Sequence, residues 1–268
     1  MEVMKSQRKP RFVLYDLLIT AVVCITSVFV LTTIWYQSDD VITADFHRLY
    51  HDKRWPETGG NTYWFGVPTL KTPLDMWVYQ EILYENRPDV IIETGTFMGG
   101  SSYYFASIFD LLGSGRVITI DIGDFEGKPK HDRVTFLLGS STADSIVEQV
   151  KDLIHEGEKV MVVLDSDHSA SHVRKEMEIY GEMVTPGQYM VVEDTHLYGH
   201  PVRQYELGDP WKAVGEYLAQ RSDFVADRSR EKYGLTFNPS GWLKKENQGS
   251  LAARHSPADP AQAISPQP

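Results

Sequence analysis

From about residue 73 onward, short apolar runs alternate with longer segments in which apolar residues recur at helical spacing. The runs predict five strands, at residues 90–94, 116–120, 135–138, 160–164 and 189–192. The intervening segments predict helices at 73–86, 101–112, 143–155, 169–184 and 209–219, and residues 223–242 suit a closing hairpin. Short buried strands separated by helices are typical of βαβ units. The pattern therefore predicts an α/β fold with a mostly parallel sheet and helices on both faces.

A long apolar stretch lies near the N-terminus, at residues 12–36, with Asp16 as its one charged residue. Beyond Asp16 it is long enough for a membrane span, which needs roughly 20 residues. Aromatic residues at both ends suit the membrane interface, and no small-residue cleavage site follows. The stretch therefore predicts an uncleaved, single-pass transmembrane helix. The basic residues before it predict a cytoplasmic N-terminus with the catalytic part on the far side. A cosubstrate made in the cytosol favours the opposite side, so the sequence leaves the side undecided.

These patterns divide the 268-residue chain into five regions. They are a basic N-terminus (1–11), the transmembrane anchor (12–36), a juxtamembrane and aromatic loop region (37–72), one folded domain (73–245) and a tail (246–268). The tail is rich in Pro, Ala, Gln and Ser and has few large apolar residues, which predicts disorder. The remaining length suits one α/β domain with a sizeable core.

Charge and cysteine content argue against a nucleic-acid partner and against sites built from cysteines. The formal net charge of -11 argues against nucleic acid as a partner, because binders of a polyanion present a basic surface. Cys24 is the only cysteine and lies within the apolar stretch, so neither an intramolecular disulfide nor a cysteine-rich metal site can form. A small-molecule substrate and a homo-oligomeric state both stay open.

In an open α/β sheet, ligands bind at the carboxyl ends of the strands. The strand at 90–94 ends in Glu93 and runs into a glycine-rich loop that lets the backbone approach a ligand closely. The glycine spacing is not that of a dinucleotide site, and an acid ahead of the loop suits the ammonium and sulfonium of S-adenosylmethionine. Asp121, at the end of the next strand, could accept hydrogen bonds from ribose hydroxyls. The candidate cofactor residues are Glu93, Gly95, Thr96, Gly99, Gly100, Ser101 and Asp121. The alternative is that both acids are merely solvated strand ends.

A second group of acids follows the strands at 160–164 and 189–192. If these strands are neighbours, Asp165, Glu193 and Asp194 converge, and their like charges repel one another unless a cation neutralises them. Oxygen ligands select a hard cation, Mg²⁺ first and Mn²⁺ or Ca²⁺ after it. His168 lies beside the same carboxylates and is a candidate for a catalytic role. Asp167, His172 and His196 are expected to be surface or capping residues.

Taken together, these motifs resemble the cephalosporin hydroxylase-like family, over about residues 45–243. The matching pieces are Gly66-Val67-Pro68, Pro73-Leu74-Asp75-Met76-Trp77, Ile92-Glu93-Thr94-Gly95, Gly99-Gly100-Ser101, Leu164-Asp165-Ser166-Asp167-His168, Pro186-Gly187 and Val192-Glu193-Asp194-Thr195. The family has the Rossmann-like fold and cofactor site of S-adenosylmethionine-dependent methyltransferases and includes rhamnosyl O-methyltransferases. The resemblance implies that Asp165, Glu193 and Asp194 are the metal ligands. It also places His168 at the position where catechol-type methyltransferases carry a lysine base.

The resemblance therefore implies an S-adenosylmethionine-dependent, divalent-metal-assisted O-methyltransferase. Its acceptor would be a hydroxyl of a sugar, a glycolipid or another small natural product, and a membrane anchor would favour a lipid-linked sugar. The metal would lower the pKa of the hydroxyl, and His168 or the neighbouring carboxylate of Asp165 would take the proton. Aromatic residues ahead of the domain could wall the acceptor pocket or serve in packing. They are Trp55, Tyr63, Trp64 and Phe65.

Three alternatives compete with this interpretation. A membrane-anchored glycosyltransferase would use Asp165-Ser166-Asp167 as its metal-binding D-x-D motif, but it leaves the glycine loop unexplained. An iron-dependent hydroxylase needs two histidines and a carboxylate, and the sequence has no H-x-D or H-x-E pair to begin that triad. A binding or scaffold protein would keep the fold and the metal without turnover.

Overall fold

The computed structural model describes residues 10–35, 39–54, 62–202 and 209–247. The chain divides into two compact units, Met1–Phe46 and His47–Pro268. The first unit contains helix α1 (Pro10–Trp35) and the start of helix α2 (Asp39–Leu49), which a π-helical turn (Tyr50–Arg54) follows. Most of the predicted tail, residues 248–268, and Trp55 of the predicted pocket wall lie outside the described residues.

Helix α1 covers the segment that we predicted as a transmembrane anchor. Its described side chains, from Tyr15 to Leu31, are exposed. Within it, Thr20 and Thr26 turn their hydroxyls onto backbone carbonyls of their own helix. Across the residues that the structure describes, no helix combines the length and apolar character that membrane crossing needs. The predicted transmembrane helix and the predicted single-pass membrane localisation are therefore wrong.

A seven-stranded sheet forms the centre of the second unit, in the part of the chain that the structure describes. Its strands are β3 (Val90–Thr94), β4 (Arg116–Asp121), β5 (Val134–Leu138), β6 (Val160–Leu164), β7 (Tyr189–Val192), β8 (Phe224–Ala226) and β9 (Trp242–Lys245). A separate small hairpin joins β1 (Tyr63–Trp64) to β2 (Val67–Pro68). The strand order is β5-β4-β3-β6-β7-β9-β8, and the pairs among the first five strands are parallel. The predicted mostly parallel sheet is confirmed.

Five helices of the second unit, among its described residues, pack on the two faces of this sheet. They are α3 (Pro73–Asn86), α4 (Gly100–Leu112), α5 (Asp144–Asp152), α6 (Ala170–Tyr180) and α7 (Pro210–Leu218). Side chains alternate along β3, so that Ile91 joins a cluster with α3 and α4 while Ile92 joins the opposite cluster with α5 to α7. All five residues of β3 are buried, as expected for a central strand covered on both sides.

The edge of the sheet differs from a simple hairpin. Strand β9 pairs antiparallel with both β7 and β8, and a 3-10 turn (Arg228–Glu231) lies between β8 and β9. The predicted hairpin over residues 223–242 is thus two short paired strands at one edge.

The chain reverses its direction of travel across the sheet between β3 and β6. It runs outward from β3 to β4 and β5, then returns to place β6 on the other side of β3. In open α/β sheets, ligands bind at the carboxyl ends of the strands beside such a switch point. Ligand binding is expected at this edge of the sheet.

Candidate active site

A cavity of about 890 Å³ opens at the carboxyl ends of the parallel strands. Loops after β3, β4, β5 and β6 form most of its wall. Its lining includes His51, Leu70, Lys71, Gly95, Thr96, Gly100, Ser101, Asp121, Ser140, Ser141, Asp165, His168, His172, Asp194, Leu197 and Phe237. Small-molecule sites have volumes of about 300–1,000 Å³, so this cavity is at the large end of that range.

The glycine loop after β3 lies directly against the loop after β6. Gly95 has φ +89°, and a Cβ added there would lie 1.8 Å from the carbonyl oxygen of Asp165. Gly100 begins α4, and a Cβ there would lie 2.1 Å from the carbonyl oxygen of Pro68. The glycines therefore let three backbone segments meet at the cavity, and Ser101 in the first turn of α4 faces it.

Glu93 lies beneath the loop and is not part of the cavity lining. It is fully buried and accepts hydrogen bonds from the hydroxyls of Ser102 and Thr119. Burial raises the pKa of Glu93, while the charge of Lys71 opposes that rise. Thr96 is also bonded to Thr119, at 2.6 Å, although it reaches the cavity. The role of Glu93 as a direct cofactor contact stays a prediction.

Asp121 closes the glycine loop from the side of β4. One carboxylate oxygen accepts the backbone N–H of Phe97 and the other accepts that of Gly123, each at 2.8 Å. The side chain lines the cavity next to Ser140 and Ser141 of the loop after β5. Polar groups on three successive strand ends therefore form one wall, which suits the hydroxyls and base of a nucleoside.

The acid cluster lies at the opposite end of the cavity, and β6 and β7 are parallel neighbours there. Potential ligand atoms of Asp165, His168 and Asp194 all lie within 4.8 Å of one another. The Nδ1 of His168 is 3.3 Å from a carboxylate oxygen of Asp194. Two facing carboxylates attract a cation, and their oxygen atoms match the preference of Mg²⁺. The predicted site residues Asp165, His168 and Asp194 are thus brought together.

Glu193, the third predicted metal ligand, lies beside this group through a contact with Lys71 that it shares with Asp165. Its Oε1 lies 2.8 Å from the ammonium of Lys71 and accepts a hydrogen bond from the Tyr79 hydroxyl at 2.5 Å. The same ammonium lies 2.7 Å from Oδ2 of Asp165. Burial lowers the pKa of Lys71, but the surrounding carboxylates outweigh it and the net shift is upward. Lys71 is therefore a buried cation, which the sequence analysis did not single out.

A buried aromatic group lies beside the acid cluster, where Nδ1 of His196 is 3.6 Å from Oδ1 of Asp194. His196, predicted as a surface or capping residue, is only 1% exposed and stacks on Phe237 at a centroid distance of 4.3 Å. Its Nδ1 is 2.8 Å from the carbonyl oxygen of Phe237. Asp167 is an exposed residue, and its carboxylate accepts the N–H of Ser169 in the turn before α6. His172 lines the cavity, 3.2 Å from the hydroxyl of Ser141.

Of the aromatic residues ahead of the domain, Tyr63, Trp64 and Phe65 are not part of the cavity lining. Trp64 packs edge-to-face on Tyr104 and lies 3.1 Å from the hydroxyl of Ser107. Tyr63 and Phe65 are exposed. For Trp64 the packing role fits, and a residue of the loop before α3, Leu70, lines the cavity instead.

Asp75, on α3, makes stability depend on pH. Burial raises the pKa of its carboxyl from 3.8 to about 7. Between these values the folded state holds a proton that the unfolded chain has released, so the free energy of unfolding falls as pH rises. Asp75→Asn keeps an acceptor for the Phe237 N–H and removes the ionisation. We expect this variant to gain stability over the wild type between about pH 4 and 7. Urea unfolding across that range measures the gain, and an equal difference at every pH would contradict it.

Comparisons of the sequence and of the structure with known proteins agree on one family. The sequence matches the family described as Rhamnosyl O-methyltransferase/CmcI over residues 57–246. Rhamnosyl O-methyltransferase from Mycobacterium leprae is 36% identical over 214 residues, which cover 78% of this chain and 92% of that protein. The apo structure of CmcI superimposes with a TM-score of 0.57 at 21% identity, covering 72% of this chain and 83% of that one. CmcI with Mg and SAM gives 0.54 at 22% identity, covering 69% and 77%. At this identity the likeness to the solved structures shows the fold.

Proposed function

The chain belongs to the rhamnosyl O-methyltransferase/CmcI family of S-adenosylmethionine-dependent O-methyltransferases, and from that premise we propose that it methylates a sugar hydroxyl with the assistance of Mg²⁺. One observation carries the proposal: the glycine loop after β3 and the cluster of Asp165, His168 and Asp194 line the same cavity. Methyl transfer requires the methyl group of the donor and the metal-bound hydroxyl of the acceptor to lie next to each other in one cavity. Family membership argues against the alternative of a glycosyltransferase.

The cofactor would bind along the cavity wall formed at the ends of β3, β4 and β5. Asp121 and Ser140 lie where the ribose and base would bind, and the loop from Gly95 to Ser101 would hold the methionine part. At Gly95 and Gly100 a side chain has no room, because a Cβ would meet the backbone of Asp165 or of Pro68. CmcI, of the same fold, is known with Mg and SAM.

The carboxylates of Asp165 and Asp194 would hold the metal ion. Mg²⁺ prefers oxygen ligands, which leaves the imidazole of His168 as the group that takes the proton. Asp194 orients that ring by its contact with Nδ1. A bound metal would supply a lowered pKa at the acceptor hydroxyl. His168 would then remove the proton while the cavity walls hold the hydroxyl oxygen in line with the methyl group.

The acceptor would lie against the wall formed by His51, Leu70, Leu197 and Phe237. His51 and Phe237 meet edge-to-face at a centroid distance of 5.8 Å. A mixed aromatic and aliphatic wall suits a sugar with one apolar face, and a sugar that lacks its terminal hydroxyl has a methyl group to place there. The relative from Mycobacterium leprae is named for a rhamnosyl acceptor.

Methyl transfer from S-adenosylmethionine tests the proposal directly. We expect the full chain with Mg²⁺ to methylate rhamnosyl glycosides, detected by mass spectrometry of the sugar together with S-adenosylhomocysteine release. Asp194→Asn is the control, because it removes one proposed metal ligand without changing the size of the side chain. Methylation of a simple catechol with none of any glycoside would contradict the sugar acceptor. Turnover that chelation of divalent metal leaves unchanged would contradict metal assistance.

A further inference from the structure

His172 connects the cavity to a buried carboxylate of α6. It lies in the first turn of this helix and lines the cavity together with Ser141 of the loop after β5. The Nε2 atom of His172 is 3.2 Å from the hydroxyl oxygen of Ser141 and 3.4 Å from Oε1 of Glu176, four residues further along the helix. In the described part of the chain both hydrogen-bonding contacts of the ring use Nε2, so Nδ1 is available to a ligand.

Glu176 is fully buried, and its Oε1 also accepts a hydrogen bond from the hydroxyl of Ser166 at 2.7 Å. Within the described residues, its Oε2 has no hydrogen-bond partner. A buried carboxylate is costly unless a positive group compensates it, and His172 provides such a group. The hydrogen bond to Glu176 raises the pKa of His172, which favours the imidazolium form, in which both ring nitrogens donate. The buried carboxylate therefore keeps a hydrogen-bond donor in the lining of the cavity.

The chemistry of this donor suits one edge of an adenine base. On that edge an amino group, which donates, lies next to the ring nitrogen N1, which accepts. Asp121 is the residue that would bind the ribose, and Ser141 follows β5, the strand beside that of Asp121. A base attached to the ribose would reach the loop after β5. There the hydroxyl oxygen of Ser141 can accept from the amino group, and the imidazole of His172 can donate to N1.

We propose that His172 is a specificity-determining residue for the cofactor: oriented by Glu176, its imidazole donates a hydrogen bond to N1 of the adenine, while the hydroxyl of Ser141 accepts from the neighbouring amino group. The inference rests on the position of the cofactor in the proposed function, and it depends neither on the metal ion nor on the acceptor. Glu176 is then a positioning residue, because it touches His172 and not the cofactor.

Calorimetric titration of the full chain with S-adenosylhomocysteine and with S-inosylhomocysteine tests this role. In the inosyl compound an oxo group replaces the amino group and N1 carries a hydrogen, so donor and acceptor are exchanged on that edge. The wild type should bind the adenosyl compound at least about tenfold more tightly, because a site built to pair with polar groups rejects a ligand that leaves them unpaired. His172→Phe should weaken binding of the adenosyl compound about tenfold without weakening that of the inosyl compound. Most of the preference for adenine should therefore be lost.

Arg174→Met is the matched control for the loss of an ion pair on α6. Arg174 pairs with Glu178, also four residues further along the helix, and it is not part of the cavity lining. The preference for the adenosyl compound should be unchanged in this variant. If His172→Phe weakens the two compounds equally, or leaves the preference as in the wild type, His172 and Glu176 form only a structural pair and the inference is overturned.

Two further variants keep the test decisive. His172→Phe/Glu176→Gln gives the same comparison if His172→Phe does not fold, because replacing both members of a buried pair by neutral side chains usually preserves folding. Asp121→Asn should weaken both compounds by a similar factor, since they carry the same ribose. If Asp121→Asn binds both as well as the wild type, the cofactor is misplaced in the proposed function and the inference fails with it. If Asp121→Asn is weakened and the wild type shows no preference for the adenosyl compound, only the role of His172 is wrong.

Discussion

Gly95→Ala is expected to abolish cofactor binding and to destabilise the protein well beyond the cost of an ordinary glycine-to-alanine substitution. At φ +89° a residue with a Cβ is strained, which costs on the order of 1–3 kcal/mol. The added Cβ would also lie 1.8 Å from the carbonyl oxygen of Asp165 and 2.6 Å from its carbonyl carbon. Both atoms belong to backbone, so relief requires the loops after β3 and β6 to separate. That movement would displace Asp165 and would also disrupt the part of the cavity that binds the cofactor.

Gly113→Ala is the matched control. Gly113 has φ +80° at the end of α4, and outside its own stretch of chain no described heavy atom lies within 4 Å of the position its Cβ would take. Backbone strain is therefore present without the collision. Urea unfolding should show a loss of about 1 kcal/mol for the control and a clearly larger loss for Gly95→Ala. Calorimetry should show normal S-adenosylmethionine binding in the control alone. Equal effects of the two substitutions would mean that close backbone approach is not what Gly95 provides.

The strands were predictable because they are buried on both faces and their apolar runs are unbroken. The predicted ranges at 90–94, 160–164 and 189–192 agree with β3, β6 and β7. Helix ends were less predictable, since α6 ends at Tyr180 and the apolar pattern continues to residue 184. The N-terminal prediction was wrong, because the apolar composition after Asp16 was taken as sufficient for a membrane span, and no described helix is long and apolar enough for one.

The position of the acid cluster was predictable from the sequence, but the contacts that its side chains make were not. Strand ends bring Asp165 and Asp194 together once β6 and β7 are neighbours, and the sequence pattern supports that arrangement. Glu193 and Asp194 are adjacent in sequence, so their side chains leave the chain in different directions. Glu193 and Asp165 both contact Lys71, which comes from a loop ahead of the first strand of the large sheet. Local periodicity carries no signal for a contact at such a distance along the chain.

Removal of the proposed base gives the second large effect. His168→Ala should lower kcat by two to four orders of magnitude, the usual contribution of a general base, while the affinity for S-adenosylmethionine stays within about threefold. The His168 side chain lines the cavity and lies 3.3 Å from Asp194. Its loss should therefore affect the acceptor hydroxyl and leave the residues around the cofactor in place. The assay needs saturating Mg²⁺, because an effect on metal affinity would otherwise imitate an effect on proton transfer.

Two further measurements distinguish a base from a structural residue. His155→Ala is the matched control, since His155 is a 74% exposed side chain that pairs with Glu158 and is not part of the cavity lining. Its kcat should be unchanged. Added imidazole should restore part of the activity of His168→Ala, because the space left by the side chain can admit a small base that accepts the same proton. A loss in kcat of less than about tenfold, or a complete lack of rescue, would move the base to another group, with the carboxylate of Asp165 the next candidate.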